Sequence, residues 1–402
     1  MSVFDREILM VQSIINTKLI MEDGIIWDGA ITFENGKIIE AGWLDDVYIP
    51  ASAERFDAKG LYTAPGLIDI HNHGGGKKLF VYDPIYCIKH FIVHGETTIL
   101  PTFYSNISCE DMLSGGDLIR KVSKKGIGKV IAYGLYMEGP YMSGSGSFQN
   151  SMKWDGLIDA SEYKPLVDGL KDLVRIWAID PARNNIREFM KYAAEANNNV
   201  IFALGHSEAT SEQVRKLEDF NIRDQTHHGD SGKAKGSAQG TIGAGCDEYT
   251  LYHPDIYAEL ICDVNGIHVQ PDLIKLIVKM KGVEKVILIT DSMIATEYLN
   301  SKDEGILYGP DLNYDDQGHL AGSKMTLECG CRNLMKHSGY GLCHAIRMAT
   351  YNPAKLLGLD GEIGCLKPNR KANFIIIDDM VNVKSVFLEG VHVVEKGELL
   401  TS

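Results

Sequence analysis

Eight short apolar runs constrain the fold of this chain more than any other feature. They are Leu67–Ile70, Thr97–Leu100, Val130–Tyr136, Val174–Ile179, Val200–Leu204, Ile222–Gln225, Tyr257–Cys262 and Lys285–Thr290, the sixth interrupted by Arg223 and Asp224. Between them Ser161–Leu170, Asn185–Ala196, Ser211–Phe220 and Asp272–Met280 carry apolar residues at helical spacing. Apolar strands that alternate with helices are buried on both faces, which is the signature of a parallel sheet. Eight such units predict an α/β architecture closed into a (β/α)8 TIM barrel. An open doubly wound sheet is the alternative. It requires a glycine pattern for phosphate after its first strand, and Gly74-Gly75-Gly76 does not have the GxGxxG spacing.

The ends of the chain have a different texture. Leu9–Thr17, Gly29–Glu34 and Lys37–Gly42 read as strands broken by turns at Asp23-Gly24 and Asn35-Gly36. Asn373–Asp378, Val381–Glu389 and Gly390–Lys396 repeat the pattern. The economical arrangement is a small β-sandwich-like domain built from both termini, residues 1–62 plus 361–402, around a barrel of residues 63–360. With 402 residues, 45% of them hydrophobic, the chain has material for both cores.

Composition narrows the function. No run of about 18 apolar residues occurs, so no membrane span is expected. Asp5, Arg6 and Glu7 interrupt the start where a secretory leader would be apolar, so the expected location is cytoplasmic. The net charge of −14 is spread along the chain and argues against nucleic acid or an anionic membrane as partner. Eight cysteines form no CxxC pair and read as reduced thiols.

A barrel carries its chemistry at the C-terminal ends of its strands. The first strand ends in Asp69-Ile70-His71-Asn72-His73, and residues two apart on a strand face one way. Glu138 follows the third strand, His206 the fifth, His227-His228 the sixth and Asp291 the eighth. Each alone has a plain structural reading as a cap, an ion-pair partner or a solvated residue. Together they place metal-binding residue types at five matching strand ends. His71, His73, Glu138, His206, His227 and Asp291 are therefore the expected metal ligands. His90 and His94 read as structural, and His253, His319, His337, His344 and His392 have no convergent partner in the sequence. The tryptophans read as packing residues, except that Trp154 lies in a polar loop.

Longer motifs surround these residues: PGLIDIHNHG (65–74), HGETTILPT (94–102), GLYMEGPY (134–141), LGHSEAT (204–210), ITDSM (289–293), LAGSKMTL (320–327), ATYNPAKLLGL (349–359) and GCLKPNRKANFIIID (364–378). Nearly end to end, the chain resembles the amidohydrolase superfamily and, within it, the N-acetylglucosamine-6-phosphate deacetylases. The resemblance implies the same barrel and split β unit. It implies Glu138, His206 and His227 as main metal ligands, with Glu138 in a bridging place. Because His71 and His73 are retained, one or two divalent ions are expected, zinc ahead of iron or manganese. Asp291 would be general base and then general acid, and His268, in VNGIHV (264–269), would polarise the acetyl carbonyl. A homodimer and a small-molecule amino-sugar substrate follow from the same resemblance.

Two departures bear on the substrate. Where the family reads His-Leu-Phe-Asn-Ala-Met, this chain has His227-His228-Gly229-Asp230-Ser231-Gly232, and the arginine that follows has no match. The family's Gly-Ala-His is also missing from Tyr141–Asn150. His228, Lys233 and His268 are the expected substrate contacts, with Lys233 and Lys235 as replacement phosphate ligands or, equally, a solvated loop. The expected reaction is deacetylation of N-acetylglucosamine 6-phosphate. Alternatives are N-acetylgalactosamine 6-phosphate, an unphosphorylated amino sugar, an N-acyl amino acid, or a non-catalytic binding protein of the same fold. A cyclic-amide or deaminating reaction is disfavoured by Glu138, since those enzymes place lysine or other histidines on the middle strands.

Overall fold

The computed structural model describes residues 10–143, 154, 156–232, 240, 243–296, 307–315 and 317–400. Its centre is an eight-stranded parallel sheet. In order around the ring the strands are Leu67–Asn72, Glu96–Tyr104, Leu135–Glu138, Val174–Ile179, Ile201–Leu204, Ile222–Gln225, Tyr257–Ile261 and Val286–Ile289. Their side chains alternate between two cores. Ile68, Leu100, Tyr136, Ile176, Ala203, Ile261 and Ile287 meet inside the ring. Leu67, Ile99, Met137, Trp177, Phe202, Leu260 and Leu288 pack outward in the core that also holds the helices. This two-residue alternation, with both faces buried, is why the strands read as continuous apolar runs.

The ring closes at a seam. Among the described residues the first and eighth strands share no continuous ladder. They are joined by Asp291 N–H donating to the His71 carbonyl at 3.0 Å, His73 N–H to the Ser292 carbonyl at 2.9 Å, and the side chain of Asp69. Asp69 is fully buried and accepts from Thr290 Oγ1 at 2.6 Å, Asn72 Nδ2 at 3.0 Å and the backbone of His71 and Thr290.

Both termini contribute to one nine-stranded sheet. Gln12–Ile20, Ile25–Glu34 and Lys37–Trp43 form an antiparallel meander, and Phe374–Ile377, Val383–Leu388 and Val391–Glu395 form another. Tyr62–Pro65 joins them, pairing with Gln12–Ile20 on one side and Phe374–Ile377 on the other. The sheet doubles over. Phe33 and Phe387 lie on strands four places apart, which would separate them by roughly 19 Å in a flat sheet. Their ring centroids are 6.1 Å apart. At the first tight turn Asn35 and Gly36 have φ of 51° and 76°, the pair of left-handed residues that a two-residue hairpin needs.

Two expected elements differ. Val130 and Ile131 belong to a 3-10 turn over Gly126–Ile131, and the third strand starts only at Leu135, after Gly134 turns the chain at φ 121°. Both residues are fully buried, so their apolar, β-branched character reported burial and not strand. Of Ser211–Phe220, only Ser211–Arg215 is α-helical. Leu217 and Phe220 bond three residues back, tightening the chain into turns. No helix among the described residues is long and apolar enough to cross a membrane, and all eight cysteines are free.

The seam predicts a stability effect. Asp69→Ala removes four accepted hydrogen bonds and strands their buried donors, so unfolding free energy should drop by about 2–4 kcal/mol. Urea unfolding of the metal-free protein measures it, and a loss below about 0.5 kcal/mol would show that the seam holds without this side chain.

Candidate metal centre

Glu138 ends the third barrel strand with its carboxylate only 2% exposed. Four imidazoles reach it. His206 Nε2 and His227 Nε2 are each 3.0 Å from Oε1, His71 Nε2 is 3.7 Å from Oε1, and His73 Nε2 is 3.3 Å from Oε2. Asp291 approaches from the eighth strand, with Oδ1 3.0 Å from His73 Nε2 and 3.6 Å from His71 Nε2. The side chains thus fall into two groups, His71–His73–Asp291 and Glu138–His206–His227, and Glu138 touches both.

The backbone bends to make this possible. His206, His227 and Asp291 have φ of 43°, 27° and 47°, left-handed values that side-chain-bearing residues seldom adopt. Each lies two residues beyond the end of its strand, where the chain kinks at the barrel mouth. Strain of this kind costs about 1–3 kcal/mol per residue and concentrates at functional sites.

The imidazoles are oriented from behind. His71 Nδ1 is 3.0 Å from Glu259 Oε2, both side chains being fully buried. His73 Nδ1 donates to the Thr102 carbonyl at 3.2 Å, and His227 Nδ1 is 2.6 Å from Asp230 Oδ1. A proton held at Nδ1 leaves the Nε2 lone pair directed at the centre, the tautomer a metal requires. Glu259 also accepts from the His227 backbone N–H at 3.1 Å, so one carboxylate braces histidines from two strands.

These residues fit a divalent ion. His71 Nε2 is buried with no hydrogen-bond partner, although Glu138 Oε1 and Asp291 Oδ1 lie 3.7 and 3.6 Å away. Spacings of 3.0–3.7 Å between candidate ligand atoms bracket the ~3.3 Å edge of a tetrahedron with metal–ligand bonds near 2.0–2.1 Å. Without an ion, protons do the neutralising. Burial pushes Glu138 up, yet its bonds to His206, His227, His71 and His73 hold it well below the usual carboxylate range. Burial pushes His71 and His227 down, and the charges of Glu259 and Asp230 more than reverse this, leaving both well above an ordinary histidine. For Asp291, burial is outweighed by His73 and His71, so the carboxyl lies below its usual value and is ionised at neutral pH.

The cluster forms the floor of a cavity of about 450 Å³. His268 lines it. Its N–H donates to Asp263 Oδ2 at 2.9 Å, and its Nδ1 has no hydrogen-bond partner. His228 corrects the expectation that it contacts substrate. Its ring is 1% exposed, bonds Gln225 Oε1 at 2.8 Å, is pushed by burial down to about 3, and does not line the cavity. Lys233, Lys235 and residues 144–150 lie outside the described residues. Trp154 packs edge-on against Tyr141 and donates to the Ile107 carbonyl at 3.0 Å, so it serves the core. His94 bonds Glu328 at 2.9 Å, in keeping with a structural role.

Glu259, Asp230 and His319 were not singled out by the sequence. A signal existed for Glu259, a carboxylate inside an otherwise apolar buried strand, since such a group persists only when paired.

The profile of the amidohydrolase family matches residues 62–393. The chain belongs to the amidohydrolase family. This amidohydrolase is 27% identical over 377 residues to the N-acetylgalactosamine-6-phosphate deacetylase of Escherichia coli O157:H7, covering 88% of this chain and 96% of that one. It is 24% identical over 404 residues to the N-acetylglucosamine-6-phosphate deacetylase of Haemophilus influenzae, covering 95% and 99%. A mutant N-acetyl-D-glucosamine-6-phosphate deacetylase from Mycobacterium smegmatis, solved in complex with N-acetyl-D-glucosamine 6-phosphate, aligns with a TM-score of 0.78 at 25% identity, covering 96% and 100%.

Because the folded apoprotein holds protons on His71 and His227 well above the ordinary histidine range, an ion must displace them. Zinc affinity should therefore fall as pH drops from 8 to 6, with proton release visible by calorimetry in buffers of different ionisation enthalpy. Binding without proton release would contradict this picture. Glu259→Gln should weaken metal binding about 10- to 100-fold by loosening His71, and an unchanged zinc dissociation constant would count against its bracing role.

Proposed function

We propose that this amidohydrolase removes the acetyl group from an N-acetylated amino sugar, foremost N-acetylglucosamine 6-phosphate, yielding acetate and glucosamine 6-phosphate. The observation that carries the reading is the convergence of four imidazoles and Asp291 on Glu138 at the floor of a sugar-sized cavity. His71, His73, Glu138, His206, His227 and Asp291 would hold one or two divalent ions, zinc first. When bound, such an ion lowers the pKa of water to about 7 and polarises the amide carbonyl.

The remaining work falls to the chain itself. Asp291, ionised and 11% exposed at the cavity floor, takes the proton of the attacking water at its carboxylate. It then delivers that proton to the departing amine nitrogen. His268, on the cavity wall, hydrogen-bonds the carbonyl oxygen as negative charge develops there, an interaction stronger in the transition state than in the substrate. Glu259, Thr102 and Asp230 keep the imidazoles from turning.

The match to a relative named for N-acetylgalactosamine 6-phosphate supports a second reading, the C4 epimer of the same substrate. Both readings assign the chemistry to the barrel, 63–360, with 1–62 plus 361–402 as a separate β unit. They also carry a cytoplasmic homodimer, supported by free thiols and by the prevalence of symmetric dimers among soluble enzymes.

Acetate release from both phosphorylated sugars and from N-acetylglucosamine tests the reading. Turnover of none by the metal-loaded protein would refute it. Asp291→Asn should lower kcat about 10²- to 10⁴-fold, the usual worth of a positioned acid–base, while zinc remains bound. Near-normal turnover in that variant would remove Asp291 from the proton pathway.

A further inference from the structure

One wall of the cavity is a two-stranded hairpin, Leu312–Tyr314 and Leu320–Ser323, whose described loop brings Asp315 and His319 to the lining. The hairpin is tied to the proton shuttle. Ser323 N–H donates to the Asp291 carbonyl at 2.9 Å, and Met293 N–H donates to the Ser323 carbonyl at 3.0 Å. Gly322 has φ 69°, and a Cβ there would fall 2.6 Å from the Asp291 carbonyl oxygen, so the hairpin backbone runs directly against Asp291.

His319 lies three residues back along this strand, roughly 10 Å away at the extended rise of about 3.3 Å per residue. It is held in place. Nδ1 is 3.0 Å from Asp315 Oδ2, the His319 N–H donates to Asp315 Oδ1 at 2.9 Å, and the Asp315 N–H donates to the His319 carbonyl at 2.9 Å. Burial pushes the Asp315 carboxyl up, but its bonds to His319 bring it below the usual range, so the imidazole has an ionised partner. The ring remains 41% exposed, with Nδ1 committed to Asp315 and Nε2 left for a ligand.

The placement matches an amino sugar bound amide-inward. With the C2 nitrogen at Asp291, the substituent on C6 lies at the far side of the pyranose ring, within a cavity whose lining includes both Asp291 and His319. Among the described residues no lysine or arginine lines the cavity. His73, His206 and His227 are engaged at Glu138. In the imidazolium form both ring nitrogens of His319 are donors, Nδ1 to Asp315 and Nε2 to an anionic oxygen.

We propose that His319, oriented by Asp315, binds the 6-phosphate of the substrate and sets the preference for a phosphorylated amino sugar. The assignment rests on the deacetylase reading, and it names a residue of the sugar-phosphate side that the sequence left without a match.

The test is steady-state kinetics of the full-length, metal-loaded chain with N-acetylglucosamine 6-phosphate and N-acetylglucosamine. His319→Ala should raise KM for the phosphorylated sugar about 10- to 100-fold, the loss of one charge-assisted hydrogen bond. It should leave kcat within about twofold and leave kcat/KM for the unphosphorylated sugar unchanged. His319→Arg should restore most of the phosphate preference, which a merely structural role would not allow. An unaltered KM, or an equal loss on both sugars, overturns the assignment and leaves the deacetylase reading standing. A wild-type chain inactive on every phosphorylated and unphosphorylated sugar overturns the deacetylase reading and this assignment with it.

Discussion

A single buried carboxylate, that of Glu138, organises the barrel mouth. A charge 2% exposed is tolerable only when it is compensated. Compensation arrives from three other strands: His71 and His73 from the first, His206 after the fifth and His227 after the sixth. To bring them together the chain accepts left-handed backbone at His206, His227 and Asp291, three residues that are neither glycine nor asparagine. At about 1–3 kcal/mol each, that strain is comparable with a large share of a protein's net stability. It persists because the surrounding contacts leave no alternative conformation. An ion at the centre would strengthen the same convergence, so metal binding and local folding reinforce one another.

Behind the imidazoles sits a second layer of acids in what is otherwise an apolar barrel. Glu259 and Asp224 point inward from neighbouring strands and are both fully buried. Two adjacent carboxylates cannot both ionise there. Burial and the charge of Glu259 push the Asp224 carboxyl well above its usual value, so Asp224 stays neutral, while Glu259 Oε2 faces His71 Nδ1 at 3.0 Å. The arrangement gives His71 a fixed proton without adding a second uncompensated charge to the core. Asp230 does the same for His227 from the loop beyond the sixth strand, where its carboxyl is lowered to about 2; burial opposes this and the charge of His227 dominates.

How much of this could be read from sequence depends on what kind of rule places each residue. The convergence of His71, His73, Glu138, His206, His227 and Asp291 was legible because all strands of a parallel barrel end on one face, so position along the chain becomes position in space. The strands Val174–Ile179 and Ile222–Gln225 were legible to the residue, even though Arg223 and Asp224 broke the pattern of the second: Arg223 is exposed and Asp224 turns inward. The misplaced start of the third strand has the opposite cause. Val130 and Ile131 are buried by packing around a 3-10 turn, and burial alone does not distinguish a turn from a strand. Roles that depend on direction were not legible. His228 adjoins His227 in sequence, yet its ring is buried against Gln225. His319 seemed partnerless because the hairpin that carries it is set at the cavity by tertiary bonds, among them Ser323 N–H to the Asp291 carbonyl, that the sequence does not reveal.

Those ties show why the seam of the barrel and the candidate metal centre coincide. The first and eighth strands carry His71, His73 and Asp291, and they are also the two strands that meet without a continuous ladder. A regular ladder would fix the spacing of their ends by backbone geometry. Here the spacing is set by a few discrete bonds: Asp291 N–H to the His71 carbonyl, His73 N–H to the Ser292 carbonyl, and Thr290 to Asp69. The Ser323 N–H then takes up the Asp291 carbonyl and carries the hairpin with it. Asp291, the first pair of imidazoles and the wall holding His319 are therefore linked through one short run of backbone. A displacement at any of them must pass through the peptide of Asp291, whose left-handed conformation leaves it little room to absorb the change.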